Sequence, residues 1–154
     1  MDGLQLLKKD HDKVRELFEE FRQASEAGDV DTMRSLTEEI FEELEVHSAI
    51  EEEVLYPATK GMGEDLSDTT SESLEEHHVV DVLMEEIRRL DPDDEAYTAK
   101  MMVLIENVEH HAQEEEEEMF PQVREHLDEG QLRKLGEDLA AAKERHQQAM
   151  RATG

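Results

Sequence analysis

Apolar side chains in the first segment step by three and four, so Leu4, Leu7, Val14, Phe18 and Phe21 fall on one stripe, and His11 falls on it with them. The same spacing gives Met33, Leu36, Ile40, Leu44 and Val54, with His47 and Glu51 in the stripe. It recurs as Leu74, Val80, Met84 and Ile87 around His77, and as Tyr97, Met101, Leu104, Val108 and Met119 around His111 and Glu115. No run alternates in the manner of a strand. Breaks fall at Gly28-Asp29, from Tyr56-Pro57 through Gly63, at Asp91-Pro92-Asp93, and at Phe120-Pro121 followed by Asp128-Glu129-Gly130. The pattern predicts long helices near 3–27, 30–56, 67–90 and 94–120 and a fifth near 130–150.

Ionisable groups thus occupy the face on which a helix normally places only apolar side chains. They also repeat. His11 to His77 is a step of 66 residues, while His47 to His111 and Glu51 to Glu115 are steps of 64. HDKVRELF aligns with HHVVDVLM, and HSAIEEEVLYP with HAQEEEEEMFP, so each half is a helical hairpin with one His on its first helix and His-x-x-x-Glu on its second. Two such hairpins, related by a two-fold axis, bring all six groups to one level of an up-down four-helix bundle.

At 154 residues the chain can bury roughly two-thirds of the surface its unfolded form exposes, enough for one domain with an interior site. It has no cysteine, which removes disulfides, thiolate metal sites and thiol catalysis together. Forty-three acidic residues against 16 Lys and Arg give a formal charge of −27. Such a field repels phosphate backbones and anionic lipid, so neither nucleic acid nor membrane is an expected partner. There is no run of 18 apolar residues and no apolar core of a secretory leader near the start, so the expectation is a soluble, cytoplasmic protein.

Imidazole and carboxylate four residues apart lie about 40° apart around a helix and ~6 Å along it, so both reach one metal region. A lone His on a core face is more often a hydrogen-bonded interior residue, and a lone Glu in an acidic helix is usually solvated. Four histidines and two carboxylates on buried stripes are different, because each costs several kcal/mol unless neutralised or coordinated. His11, His47, Glu51, His77, His111 and Glu115 are therefore the candidate metal ligands, a nitrogen and oxygen set suited to two irons with the carboxylates bridging.

The stripe and the repeat select His77 over His78 and His111 over His110, and place His126 and His146 on the surface. Of the run Glu114 to Glu118, only Glu115 is on the stripe, and most of the run is expected to face water. Tyr56 and Asp81 are metal-adjacent candidates. Pro57 disfavours helical geometry at Tyr56, so a turn there would bring the phenol toward the centre; the alternative is a core cap such as Phe120 provides in the other half. Asp81 follows His77 by four residues, the slot of a further paired ligand; the alternative is an exposed acid beside Glu85. The methionines of the stripes read as adaptable core packing that leaves room for small apolar gases.

The order His, His-x-x-x-Glu, His, His-x-x-x-Glu, with the strings HSAIEEEVLYP, EEHHVVDVL and HHAQEEEEEMFP, resembles the hemerythrin-like or HHE-domain family over about residues 4–122. The resemblance implies a four-helix bundle over 1–125, with residues 126–154 as a C-terminal helix packed on it or extending from it. It also implies two irons bridged by Glu51, Glu115 and a solvent-derived oxo or hydroxo group. Oxygen carriers of the family have a seventh ligand, a second His four residues after the one on the third helix, and a five-residue step to an Asp on the fourth. This chain has Asp81 at the first position and keeps the four-residue step at the second.

Six ligands leave more iron positions open than a reversible carrier needs, so the leading expectation is a non-haem di-iron protein reacting with peroxide, nitric oxide or oxygen in oxidative or nitrosative stress. The alternative is an oxygen- or iron-sensing or binding module without turnover, in which the C-terminal helix, with Leu132, Leu135, Leu139 and Ala142 on one face and Lys143 and Arg145 among its cations, would carry the signal. A ferritin-like oxidase needs two Glu-x-x-His pairs, and only Glu75 with His78 fits. Neither the substrate nor the electron donor follows from these residues.

Overall fold

A computed structural model describes residues 1–153, and among them every regular element is helical. Helix α1 spans Gly3–Glu26 and α2 Val30–Ile50; a π-helical turn, Glu51–Leu55, leads into the short α3, Tyr56–Thr59. Helix α4 spans Glu64–Arg88 and α5 Glu95–Glu114, followed by a second π-turn, Glu115–Met119, then α6, Phe120–His126, and α7, Glu129–Thr153. None of these helices is long and apolar enough to cross a membrane.

Local chemistry sets the starts. Asp2 and Gln5 cap α1 reciprocally, Asp29 accepts from the Thr32 amide, Asp94 from that of Ala96, and Asp128 and Gln131 cap α7. Helix α4 begins three residues earlier than the spacing predicts. Gly63 takes a φ of 105°, which only glycine adopts cheaply, and Glu64 and Asp65 then suit the positive end of the helix.

The breaks expected from Tyr56-Pro57 through Gly63 and from Phe120-Pro121 to Gly130 fall late in those stretches, at 60–63 and 127–128, and not at the prolines. Each proline sits in the first turn of a new helical segment, where its missing N–H costs nothing, and the chain runs on through the π-turn before it. In each turn a residue donates to the carbonyl five before it, Tyr56 to Glu51 and Phe120 to Glu115.

Two apolar cores lie along the bundle. One holds Phe18, Phe21, Ile40, Met84, Ile87 and Met101; the other holds Leu4, Leu7, Ile50, Leu55, Met119 and Val123. On each of the four long helices the candidate ligands fall at the junction between them. Helix α7 packs on α1, α2 and the first π-turn, and its Leu132, Leu135, Leu139 and Ala142 join the second core. Gly136 lets α7 approach the start of α1: a Cβ there would lie 3.0 Å from the Gly3 nitrogen and the Met1 carbonyl oxygen.

Candidate metal centre

His47 and His111 lie in the last turns of α2 and α5, each followed four residues later by the glutamate that opens a π-turn. His11 and His77 come from the middles of α1 and α4. All six side chains are buried. They form two groups, His11, His47, Glu51 and Glu115 in one and Glu51, His77 and His111 in the other. The imidazoles pair accordingly, with centroids 4.9 Å apart in both His11–His47 and His77–His111.

The two carboxylates lie between the pairs. Glu115 places Oε1 3.1 Å from His11 Nε2 and Oε2 3.4 Å from His111 Nε2. Oε1 of Glu51 is 3.4 Å from His47 Nε2 and 3.2 Å from His77 Nε2. Glu51 Oε2 and His47 Nε2 are buried with no hydrogen-bond partner among the described residues. Such orphans are costly in an interior, and a cation between them would satisfy both.

The outward nitrogen of every imidazole meets a carboxylate. Nδ1 of His11 donates to Glu116 at 2.6 Å, that of His47 to Asp10 at 3.0 Å, that of His77 to Glu52 at 2.9 Å and that of His111 to Glu76 at 3.0 Å. This fixes the tautomer, so that all four Nε2 lone pairs face inward. Arg15 reaches Glu116 at 2.9 Å and Lys143 reaches Asp10 at 2.6 Å. Six carboxylates against these two cations leave four uncompensated negative charges when the imidazoles are neutral, equal and opposite to two divalent ions.

Without a cation the centre gathers protons. Burial opposes charging of the imidazoles, yet the carboxylates outweigh it: His47 is pushed up to about 10, chiefly by Glu51 and Asp10, and His11, His77 and His111 are raised as well. Burial likewise favours the neutral acid at Glu51, but the surrounding imidazoles hold it well below the ordinary carboxylate range. Glu116 is drawn down to about 2 by His11 and Arg15 despite its partial burial. A donor set of this kind exchanges protons for metal.

Tyr56 is brought into the second group, by a route other than the expected turn. Its backbone stays helical, with φ −66° and ψ −36°. The π-turn adds one residue to the winding, so Tyr56 stands relative to Glu51 as a residue four along normally does, ~40° away. Its hydroxyl donates to Glu115 Oε2 at 2.8 Å and lies 3.2 Å from Glu51 Oε1 and 3.2 and 3.3 Å from the Nε2 atoms of His77 and His111. Phe120, its counterpart in the repeat, instead stacks on His11 with centroids 6.1 Å apart.

Asp81 stays outside both groups. It is exposed on α4, and partial burial together with the nearby Glu52 raises its carboxyl. His78, His110 and His126 are exposed, and His110 pairs with Glu114 at 2.8 Å on the surface. Glu116 corrects the expectation that only Glu115 in the acidic run serves the centre.

The other bracing residues, Asp10, Glu52 and Glu76, were hidden among the many acids. The signal that marks them is the repeat, since Asp10 and Glu76 precede His11 and His77, and Glu52 and Glu116 follow Glu51 and Glu115. Beneath the imidazoles a cavity of about 40 Å³ is walled by Val14, Phe18, Leu44, Val80 and Val108, large enough for a molecule of two to four atoms.

The family model for the hemerythrin HHE cation binding domain matches residues 2–123. A DNA nickase of Nostoc sp. is 30% identical over 154 residues, covering 97% of this chain and 42% of the nickase, so the chain spans about two-fifths of that relative's length. The crystal structure of a hemerythrin HHE cation-binding domain-containing protein from Mycobacterium kansasii superposes with a TM-score of 0.82 at 24% identity, over 97% of this chain and 89% of that one.

Proposed function

The chain belongs to the hemerythrin HHE cation-binding domain family, and from that premise we propose that it is a non-haem di-iron protein that consumes peroxide, nitric oxide or oxygen in defence against oxidative or nitrosative stress. The observation that carries the reading is the pair of buried imidazole groups sharing two carboxylates, with Glu51 Oε2 and His47 Nε2 left unpartnered. His11 and His47 would hold one ion, His77 and His111 the other, and Glu51 and Glu115 would reach both. Iron bound there supplies one-electron chemistry and open positions for a small ligand.

The protein residues prepare that chemistry. The four bracing carboxylates hold the imidazoles in the tautomer that presents Nε2 inward. The Tyr56 hydroxyl donates to Glu115 Oε2 at 2.8 Å and so orients that carboxylate. The apolar cavity below the imidazoles admits a small uncharged molecule and disfavours bulk water, which limits side reactions. The nickase name belongs to a protein of which this chain matches 42%, and a charge of −27 opposes approach to a phosphate backbone, so we do not extend it to this chain.

Anaerobic loading with ferrous iron, followed by metal analysis and peroxide and nitric oxide consumption assays, tests the proposal. Two irons per chain and consumption faster than by the same amount of free iron are expected. Two irons with an optical change that reverses when oxygen is removed, and no consumption, would assign a binding or sensing role instead. One zinc per chain from cells would overturn the di-iron reading.

A further inference from the structure

The four braced imidazoles are alike in pattern and unlike in charge. Glu52 and Glu76, which brace His77 and His111, are half-exposed, and no Lys or Arg among the described residues lies within 4.0 Å of either. Glu116 and Asp10, which brace His11 and His47, each carry a cation, Arg15 and Lys143 respectively. Lys143 comes from α7, outside the residues that match the family model. Its Nζ lies 2.6 Å from Asp10 Oδ1, while Oδ2 of the same carboxylate accepts from His47 Nδ1 at 3.0 Å. The Asp10 side chain is only 6% exposed, so this chain of contacts is poorly screened.

A carboxylate that accepts the Nδ1 proton of a ligating imidazole makes that imidazole a stronger donor, which favours the more highly charged state of a bound ion. A cation on the other carboxylate oxygen draws the charge away and weakens the effect.

We propose that Lys143 is a positioning residue of the metal centre: through Asp10 it orients His47 and weakens that brace, making the position of His11 and His47 the more readily reduced of the two. This rests on the di-iron reading above. It gives α7 a part in the chemistry although none of its residues enters the ligand groups.

The test compares the full-length wild type with Lys143→Met and Lys143→Gln, with Lys143→Arg as the conservative variant. Lys134→Met is the control, since Lys134 sits on the same helix and, among the described residues, pairs only with Asp138. Redox titration of the iron-loaded proteins is expected to show two steps. In Lys143→Met and Lys143→Gln the ferric-to-ferrous ratio at the wild-type midpoint of the easier step rises about tenfold, and the other step stays within about twofold. Lys143→Arg and Lys134→Met are expected to match the wild type.

Proton NMR of the zinc-loaded proteins gives a reading that needs no iron. The His47 Nδ1 proton moves downfield in Lys143→Gln, as its bond to Asp10 strengthens, while those of His77 and His111 stay. Equal shifts in both redox steps, the same shift in Lys134→Met, or unmoved potentials and an unmoved His47 proton would each overturn the proposal and leave the di-iron function standing. Fewer than two irons in the wild type would instead sink the function, and the zinc spectrum would still judge Lys143.

Discussion

The hydroxyl of Tyr56 lies 2.8 Å from Oε2 of Glu115, although 59 residues separate them in the chain. The contact exists because one π-turn swings the phenol inward and the other presents the carboxylate from the facing helix. Tyr56→Phe removes a buried donor and leaves Glu115 Oε2 without it. In the metal-free protein this is expected to cost about 1–3 kcal/mol, read from urea denaturation. On the proposed ligand set a bound metal would take over the carboxylate oxygen, so the cost in the metal-loaded protein is expected to be less than half as large. An equal loss in both forms would show that the hydroxyl serves packing alone.

The ligands and their braces separate by metal stoichiometry. Glu51 belongs to both imidazole groups, so Glu51→Gln is expected to reduce bound iron below one per chain. His77→Ala touches one group and is expected to retain about one. Glu52→Gln keeps every ligand and removes the charge on the His77 brace, so two irons are retained but the affinity of one falls about 10–100-fold. Metal analysis and chelator competition check all three, and full retention of two irons by Glu51→Gln would refute the assignment of the shared carboxylate.

Much of this centre was legible in the sequence because a buried stripe is a strict filter. His11, His47, His77 and His111 stand out since the three-and-four spacing leaves them no route to solvent, and the repeat chooses His77 over His78 without coordinates. Proline at 57 and 121 read as breaks because the sequence does not distinguish a proline that ends a helix from one that opens the next. Asp81 is the exposed acid of its alternative reading, for a related reason. On α4 the stripe continues through Val80 and Met84, and no π-turn carries the position four after His77 inward. Lys143 had no local signal at all, since its partner Asp10 lies 133 residues away on another helix.

Glycine substitutions on α7 test how the last helix is seated. Gly136→Ala would be favourable by helix propensity alone, by about 1 kcal/mol. A Cβ at 136, however, comes within 3.0 Å of backbone atoms of Met1 and Gly3, which have no flexible end to move aside. A net loss of about 1–3 kcal/mol is expected. At Gly130 the nearest atom is the Asp128 carboxylate oxygen at 3.4 Å, and Gly130→Ala is expected to be neutral or to stabilise by up to about 1 kcal/mol. Thermal denaturation of the two variants decides it; equal effects would mean that the α1–α7 approach carries no constraint.

The protonation of the centre predicts opposite pH behaviour with and without metal. In the metal-free protein the raised imidazoles stabilise the fold fully below their ordinary value of 6.5, and this contribution is lost as pH rises through their folded values, about 10 for His47. Glu51, held low, contributes above its ordinary 4.5 and loses that contribution as pH falls. Metal-free protein is therefore expected to be most stable between about pH 4.5 and 6.5 and to weaken steadily toward pH 10. Bound metal replaces those protons, so the loaded protein is expected to show no such alkaline decline and to fall off instead on the acid side, where protons compete for the same nitrogens. Self-repulsion from the −27 charge also grows with pH and acts on both forms, so the difference between them is the quantity to read. Melting temperatures with chelator and with iron or zinc, measured from pH 5 to 10, give that difference directly. It should widen with pH above 6.5, and a constant gap would mean that the buried imidazoles do not exchange protons for metal.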